Sequence, residues 1–363
     1  MNVLDRLDTT LRVFGGARLE GSVEIQGAKN AALPIMAATL LARGKVTLHR
    51  VPRITDVSVM WSLLEALGAR VSLQDRNTLT IDASNVNAYR APYTLVRKLA
   101  ASFDLCGPLL GRFGRAEVPL PGGCVLGTRA TDMHEAAFRA LDAEVAVAHG
   151  YLIASARDGR LRGGEVEFRM PSVGATKNAM LAAVTAAGTT TIHNAAMEPE
   201  VVDLANFLVA MGAKISGQGG DTIRIVGVRE LRGVEYEIIP DRIGTGTLLL
   251  AGAVTRGDVT VKRTRPDDLA SLQLALGEIE TQDAIDALEA LGIELDDALA
   301  ATAADVVIVA EEAGWGLVPA YPMGRVFRDA LGRLIQRIAS HADRVELVVA
   351  GYALDLGKLG VRI

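Results

Sequence analysis

The sequence predicts an α/β protein built from repeated units, and two recurring patterns support this prediction. A glycine followed by a β-rich strand recurs at intervals of about 70 residues, beginning at Gly44, Gly114, Gly188 and Gly257. An amphipathic helix that ends in a small-residue turn recurs with nearly the same spacing. Self-similarity at a fixed period indicates copies of one supersecondary unit that pack on each other. After about residue 296 the pattern stops, which indicates a segment of different ancestry.

Each unit is expected to contribute two helices of different character. The first helix, residues 29–42, is apolar on nearly every side, so it should be buried among neighbours. Its counterparts are residues 177–187 and 245–254. The second helix is amphipathic, because Val57, Trp61, Leu64 and Leu67 form one stripe. Units of this kind, packed around a buried helical centre with sheets outside, would make one domain.

The segment after residue 296 predicts a different arrangement. An alanine- and acid-rich bridge precedes an apolar strand at 305–310, a helix at 326–339 and a second strand at 345–350. Strand, helix and strand within about 45 residues form a βαβ unit, which implies parallel pairing.

Composition limits the classes of function. The chain has 363 residues, of which half are hydrophobic and 4% aromatic, so a large aliphatic core is available. A net charge of −5 gives no electrostatic reason to expect nucleic acid or an anionic membrane surface. Two cysteines fit a reducing cytoplasm. The start has no apolar signal region, and the longest apolar run, near residues 31–42, is too short and too broken for a membrane span.

The stretch 120–129 predicts a mobile loop that carries chemistry. Pro121, Gly122 and Gly123 favour turn conformations, and Cys124 follows them directly. Arg129 lies five residues beyond the cysteine, and a thiol near a fixed cation has a lowered pKa and acts as an acid or nucleophile. The alternative is a small buried hydrophobe, the usual position of a free cysteine.

Several spaced motifs together resemble the family of UDP-N-acetylglucosamine enolpyruvyl transferases, from about residue 11 to 268. They are residues 26–34 (QGAKNAALP), 121–124 (PGGC), 129–134 (RATDMH), 172–176 (SVGAT) and 240–242 (PDR). The resemblance implies an inside-out α/β barrel of six units, three per domain, with substrates closing between the domains. It predicts a complete first domain at 22–236, a partial second domain at 1–21 plus 237–296, and a tail at 297–363.

The resemblance implies transfer of the enolpyruvyl group of phosphoenolpyruvate to the 3-hydroxyl of UDP-N-acetylglucosamine, the reaction that opens peptidoglycan synthesis. It needs no metal or organic cofactor, and Cys124 would be the general acid and the target of fosfomycin. Phosphoenolpyruvate would contact Lys29, Asn30, Cys124 and Arg129. UDP-N-acetylglucosamine would contact Arg97, Arg129, Ala130, Thr131, Asp132, Met133, Ser172, Val173 and Gly174.

For Lys29 and for His134, general physical chemistry gives a prediction that does not depend on the resemblance. A lysine that follows Gly27 at a helix start adds a charge to free backbone amides, which favours an anion, although a solvated helix-end lysine is an equal alternative. His134, at the start of the next predicted helix, is expected to be bonded locally rather than to act in catalysis.

The chain also departs from the family pattern. Ala100 stands where the family has a ligand-contacting arginine, with Arg97 one turn away. Met170 and Pro171 occupy the place of a basic residue and its neighbour, and Gly244 stands in place of glutamate. Only one of the second domain's three units is present, so the aspartate that would receive the hydroxyl proton has no counterpart.

The tail, residues 303–351, resembles the C-terminal part of adenosylcobinamide kinase but lacks that family's glycine-rich phosphate loop with its lysine.

The sequence is compatible with three functions. The preferred one is the cell-wall enolpyruvyl transferase; the others are a non-catalytic UDP-sugar-binding or structural fusion with a kinase remnant, and the sibling transferase acting on shikimate 3-phosphate. The cysteine loop and the Ser172–Gly174 stretch disfavour the last. The apolar helix at 245–254 should be covered by the tail or by another subunit.

Overall fold

The computed structural model describes residues 18–120, 130–255, 257–270, 346–349 and 352–355, and it confirms the α/β class. The chain divides into a larger unit, Glu24–Thr245 with Lys262–Asp268, and a smaller unit that contains the remaining residues. The helices are α1 (Lys29–Ala38), α2 (Thr55–Ala66), α3 (Tyr93–Val96), α4 (Cys106–Phe113), α5 (Asp132–Ala140), α6 (Val173–Ala183), α7 (Pro199–Ala210) and α8 (Arg242–Val254). The strands are β1 (Glu20–Glu24), β2 (Ala42–Arg43), β3 (Lys45–His49), β4 (Arg70–Asp75), β5 (Thr78–Asp82), β6 (Arg115–Pro119), β7 (Ala143–Ala148), β8 (Tyr151–Ala156), β9 (Glu165–Glu167), β10 (Thr189–His193), β11 (Lys214–Ser216), β12 (Thr222–Val226), β13 (Leu231–Arg232), β14 (Glu235–Glu237), β15 (Asp258–Lys262), β16 (Glu346–Val349) and β17 (Tyr352–Asp355).

Successive sheets of the larger unit share one strand order. Along the chain, each set consists of a strand, a helix and two further strands. In the sheet, the third strand of the set lies between the other two, which gives the spatial orders β3-β5-β4, β6-β8-β7 and β10-β12-β11. The pairings within these sets are antiparallel. In β3, Val46 and Leu48 face the core while Lys45, Thr47 and His49 alternate outward, the period expected of a half-buried strand. Strands follow Gly44, Gly114, Gly188 and Gly257, as the sequence predicts.

Parallel pairing links these sheets in a cycle. After the second set, β9 pairs with β10 of the third. After the third, β14 returns to pair with β3 of the first, and Arg90, after the first, bridges to Glu117 of the second. Among the described strands, the sheets remain separate and none closes into a barrel.

The centre of the larger unit consists of nearly apolar helices that pack closely. Most of α1 is buried, including its alanines, Leu33, Ile35 and Met36. Helix α6 is buried from Ala175 to Ala183. Helix α4 packs on α6 at Gly107, where a β-carbon would lie 2.6 Å from the Asn178 carbonyl oxygen. A side chain at this position would therefore push the two helices apart.

Several predicted helices have different ends in the structure. Helix α1 ends at Ala38 and continues as the 3-10 turn Thr39–Leu41. Helix α6 begins at Val173, four residues before the predicted start, because the Ser172 hydroxyl accepts a hydrogen bond from the Ala175 amide and caps it. The predicted stripe of α2 is buried at Val57, Leu64 and Leu67, whereas Trp61 lies at its edge and is half-buried.

In the smaller unit, β1 pairs with β15, and β16 pairs with β17 as an antiparallel hairpin. Strand β16 coincides with the predicted strand at 345–350, while its predicted parallel partner at 305–310 and the helix at 326–339 lie outside the described residues. Leu249 and Leu250 of α8 are 38% and 39% exposed. The tail expected to cover this helix also lies largely outside the described residues. Among the residues with described placement, no helix has the length and apolar character to span a membrane.

The return of β14 depends on Gly233, which gives a test of the fold. A β-carbon there would lie 2.1 Å from the Lys45 carbonyl oxygen, beside the bond from the Thr47 amide to the Val234 carbonyl. We expect Gly233→Ala to destabilise the protein by about 1–3 kcal/mol, because the overlap separates β14 from β3. The measurement is the urea midpoint followed by circular dichroism.

The matched control is Gly220→Ala, where the added carbon meets only the Gly217 carbonyl oxygen, at 3.3 Å. Equal midpoints for wild type and Gly233→Ala would contradict the assigned role of this glycine.

Candidate active site

The start of α1 presents a cation beside an uncapped helix end. Ala28 precedes the helix, no side chain caps it, and its first turn contains no acid. Gly27 is required just before it, because a β-carbon there would lie 1.9 Å from the Arg50 carbonyl oxygen. The Lys29 side chain is 51% exposed and its Nζ lies 3.5 Å from Asp56 Oδ2. Such an exposed pair contributes little to stability, so an incoming anion can replace the aspartate.

Two of the predicted nucleotide segments, 130–133 and 172–174, meet across α5 and α6. Arg169, just before the second segment, donates to Asp132 Oδ2 of the first at 3.2 Å. At Gly174 a β-carbon would lie 3.3 Å from the His134 ring, so glycine permits this approach. Ala130 and Asp132 are exposed, and Ser172, Val173 and Gly174 are half-buried. The facing segments leave accessible backbone and polar atoms.

His134 is bonded over a long range, which corrects the expectation of a local partner. Its Nδ1 lies 3.1 Å from the Asn178 side-chain nitrogen, and its ring meets the Phe103 ring edge-on at 4.9 Å. Burial lowers the pKa of His134 to about 4, although Asp132 and Glu135 oppose the shift. The imidazole is therefore neutral at physiological pH, and its Nδ1 accepts a hydrogen bond from the Asn178 side-chain amide. Packing of α5 against α6 turns the ring inward, and sequence position alone does not show this.

Asn178 joins the parts of the site through one buried amide. Its oxygen accepts from the Gly107 amide at 2.8 Å, and its nitrogen donates to the Phe103 carbonyl at 3.2 Å and to His134. The hydrogen bonds fix α6 against α4, α5 and the 3-10 helix Ala100–Leu105. Loss of this amide would leave buried backbone groups without partners, which is costly.

Two buried charged residues, Lys177 and Asp104, adjoin in sequence the residues Asn178 and Phe103 that this amide joins. Lys177 is 5% exposed, and its Nζ donates to the Asn30 carbonyl at 2.9 Å, which connects α6 to the start of α1. Asp104 is 8% exposed. Burial raises the pKa of Asp104 to about 6, and the Lys177 charge acts in the opposite direction.

The remaining predicted site residues are distributed unevenly. Cys124 and Arg129 lie outside the described residues, so their positions stay predictions. Arg97 is exposed at the end of α3. Met170 is 51% exposed, beside Arg169, which supplies a cation one position earlier than the family pattern. At Gly244 a β-carbon would lie 3.1 Å from Ile25 and 3.2 Å from Asp241, so a larger residue there would displace one of them.

The sequence reading did not identify Asp104, Lys177 or Asn178 as site residues. The only available signal was the presence of polar residues within apolar runs, as in residues 173–183. Within the described part of the chain, no cluster of histidine, cysteine or acidic residues could hold a metal ion. The described residues bring together a lysine at an uncapped helix start and two facing polar segments.

A model of the EPSP synthase (3-phosphoshikimate 1-carboxyvinyltransferase) family matches residues 13–310. The chain belongs to this family. A second model, cobinamide kinase / cobinamide phosphate guanyltransferase, matches residues 269–356, which overlaps the end of the first match. Both resemblances predicted from the motifs are thereby confirmed.

Similar proteins are named for a particular enolpyruvyl transfer. The UDP-N-acetylglucosamine 1-carboxyvinyltransferase of Gloeobacter violaceus is 49% identical over 272 residues, which cover 75% of this chain and 59% of that protein. The protein of the same name from Psychrobacter sp. is 50% identical over 274 residues, covering 75% and 62%. The chain thus spans about three-fifths of the length of these relatives.

Solved structures of family members share the fold. The enolpyruvyl transferase NikO from Streptomyces tendae matches with a TM-score of 0.60 and 26% identity, over 68% of this chain and 58% of that chain. EPSP synthase from Acinetobacter baumannii matches with a TM-score of 0.55 and 17% identity, over 68% and 56%.

The raised pKa of Asp104 gives a prediction of pH dependence. The folded state holds this proton to about pH 6, whereas the unfolded chain releases it near 3.8, so stability falls as pH rises between these values. We expect Asp104→Asn to remove this loss, so that the stability difference between variant and wild type shifts in the variant's favour by on the order of 2–3 kcal/mol between pH 4 and pH 8. Urea unfolding of both proteins from pH 4 to 8 measures the difference.

The control is Asp267→Asn, a substitution of an exposed acid. His134 has the opposite effect, because its lowered pKa removes stability as pH falls from 6.5 toward 4. It is present in both proteins and cancels in the difference. A constant difference between Asp104→Asn and wild type over this pH range would contradict the prediction.

Proposed function

We propose that this chain catalyses transfer of the enolpyruvyl group from phosphoenolpyruvate to the 3-hydroxyl of UDP-N-acetylglucosamine, with release of phosphate. The observation that carries the proposal is identity of about one half to UDP-N-acetylglucosamine 1-carboxyvinyltransferases over three-quarters of the chain. The family model matches residues 13–310, which include the start of α1 and both segments that meet across α5 and α6. The same identity favours this acceptor over shikimate 3-phosphate.

The phosphoenolpyruvate site is proposed at the uncapped start of α1. Lys29 and Asn30 lie in its first turn, where the helix dipole and free amides favour an anion. The exposed Lys29–Asp56 pair can open to accept a phosphate or carboxylate. Cys124 and Arg129 are assigned to the same ligand from the family motif.

The nucleotide-sugar site is proposed along the facing segments 130–133 and 172–174. The contact between Arg169 and Asp132 holds them together, and Asn178 fixes the helices that carry them. Arg97 and Arg129 are proposed to add positive charge for the diphosphate. The chain's net charge of −5 makes such local cations necessary.

The proposed reaction is addition followed by elimination. Cys124 donates its proton to the methylene carbon of phosphoenolpyruvate while the sugar 3-hydroxyl oxygen bonds to the adjacent carbon and loses its own proton to a base. The tetrahedral intermediate then loses a proton from the new methyl group, and the carbon–phosphate oxygen bond breaks to release phosphate. A closed loop over the site would exclude water from the intermediate.

The architecture proposed for the complete family member is an inside-out barrel with two domains. On this basis, residues 22–236 form the first domain, 1–21 with 237–296 form part of the second, and 297–363 form the tail. The sheet order shared by successive units supports the repeat. The cellular role that follows is peptidoglycan synthesis in the cytoplasm.

A non-catalytic protein that binds the UDP-sugar is the second candidate. It is favoured by the second family match, because residues 269–356 resemble a different family, cobinamide kinase / cobinamide phosphate guanyltransferase. In this case the first domain would bind the nucleotide sugar, and the residues that receive the hydroxyl proton would be missing.

An assay of binding and phosphate release separates the two candidates. We expect the full chain to bind UDP-N-acetylglucosamine and to release phosphate only when phosphoenolpyruvate is also present. Cys124→Ala should lower the release rate at least about 100-fold, the usual effect of losing a general acid. Shikimate 3-phosphate serves as the control acceptor. Binding without release would establish the second candidate, and release only with shikimate 3-phosphate would establish its sibling reaction.

Fosfomycin tests the role of Cys124 in a separate experiment. We expect peptide mapping by mass spectrometry to find the adduct on Cys124 and none on Cys106. Cys106 is an internal control, because it is buried in the described part of the chain and burial raises the pKa of its thiol. Unmodified Cys124 in the folded protein would refute its assignment as the reactive acid.

A further inference from the structure

Helix α1 contains a proline that leaves one backbone carbonyl without its helical partner. In a regular helix, the Asn30 carbonyl would accept a hydrogen bond from the amide of residue 34. That residue is Pro34, which has no amide hydrogen and whose ring presses against the carbonyl four residues earlier. The affected carbonyl belongs to Asn30, in the turn assigned to phosphoenolpyruvate.

Lys177 supplies the missing donor from a different helix. Its Nζ lies 2.9 Å from the Asn30 carbonyl oxygen, and the residue is 5% exposed. A buried ammonium is unfavourable unless it is hydrogen-bonded and paired with an opposite charge. The Asn30 carbonyl supplies the hydrogen bond, and the Lys177 charge attracts that of the buried Asp104 and opposes the rise of its pKa.

The position of Lys177 connects both predicted ligand sites. It lies on α6, whose first residues, Val173 and Gly174, belong to the nucleotide segment. Its amine contacts the first turn of α1, where Lys29 and Asn30 lie. The neighbouring Asn178 is bonded away from α1, to α4 and α5. Lys177 is therefore the side chain through which α6 is bonded to the Asn30 carbonyl.

We infer that Lys177 is a positioning residue of the phosphoenolpyruvate site, which takes the place of the amide hydrogen absent from Pro34 and so fixes the turn that carries Lys29 and Asn30. This inference rests on the proposed function for the identity of the ligand. The hydrogen bond from Lys177 to the Asn30 carbonyl and the place of Pro34 in α1 are properties of the fold.

The test is a double-mutant cycle in the full chain between Lys177→Met and Pro34→Ala. Methionine has a stem of similar length without the donor, and alanine at position 34 restores an amide hydrogen for the Asn30 carbonyl. Each protein is titrated with phosphoenolpyruvate and, separately, with UDP-N-acetylglucosamine, and its urea midpoint is measured. Lys177→Met should bind phosphoenolpyruvate about tenfold more weakly, the effect of one hydrogen bond to a charged donor, with unchanged affinity for the nucleotide sugar.

The double variant should recover most of the phosphoenolpyruvate affinity and of the urea midpoint, including when Lys177→Met alone does not fold. Equal losses for both ligands, an unchanged affinity in Lys177→Met, or no recovery in the double variant would overturn the inference. If the wild type does not bind phosphoenolpyruvate, the proposed function fails. The urea midpoints then decide the inference, because additive effects of the two substitutions would exclude the shared hydrogen bond.

Discussion

The return of β14 to β3 is the interaction on which the rest of the larger unit depends. The residues that follow β14 frame the start of α1: the Ile239 carbonyl accepts from the Ala28 amide at 2.8 Å, and Pro240 bridges to Gly27. Lys29 follows directly. The pairing therefore sets both the order of the sheets and the place where the start of α1, which no side chain caps, meets solvent.

The second constraint is the small space between the central helices. Gly107 and Gly111 allow α4 to lie against α6, where β-carbons would come within 2.6 and 2.8 Å of neighbouring atoms. At such a small separation, polar groups at the contact must form their hydrogen bonds with other groups of the same contact. Asn178 and Lys177 do this for groups on α4, α5 and α1. The same contacts that stabilise the centre thus hold the two facing segments and the start of α1 in register.

The sequence predicted the parts of the fold that local patterns determine. The strands after Gly44, Gly114, Gly188 and Gly257, the apolar helix beginning at Lys29 and the family resemblance all follow from spacing and motif. The repeat implies a helix before Gly114 but gives it no bounds, and Gly107 and Pro108 inside α4 weaken its helical pattern. The inward turn of His134 and the roles of Asp104 and Lys177 depend on contacts between residues far apart in the chain, so no local pattern could indicate them.

The position of the closing strand has a consequence for gene evolution. Since β14 ends at Glu237, the edge of β3 is already paired by residues upstream of α8. Recombination beyond this point can replace downstream segments without leaving the edge of β3 unpaired. A domain organised in this way can be joined to different downstream segments while its own strands stay paired.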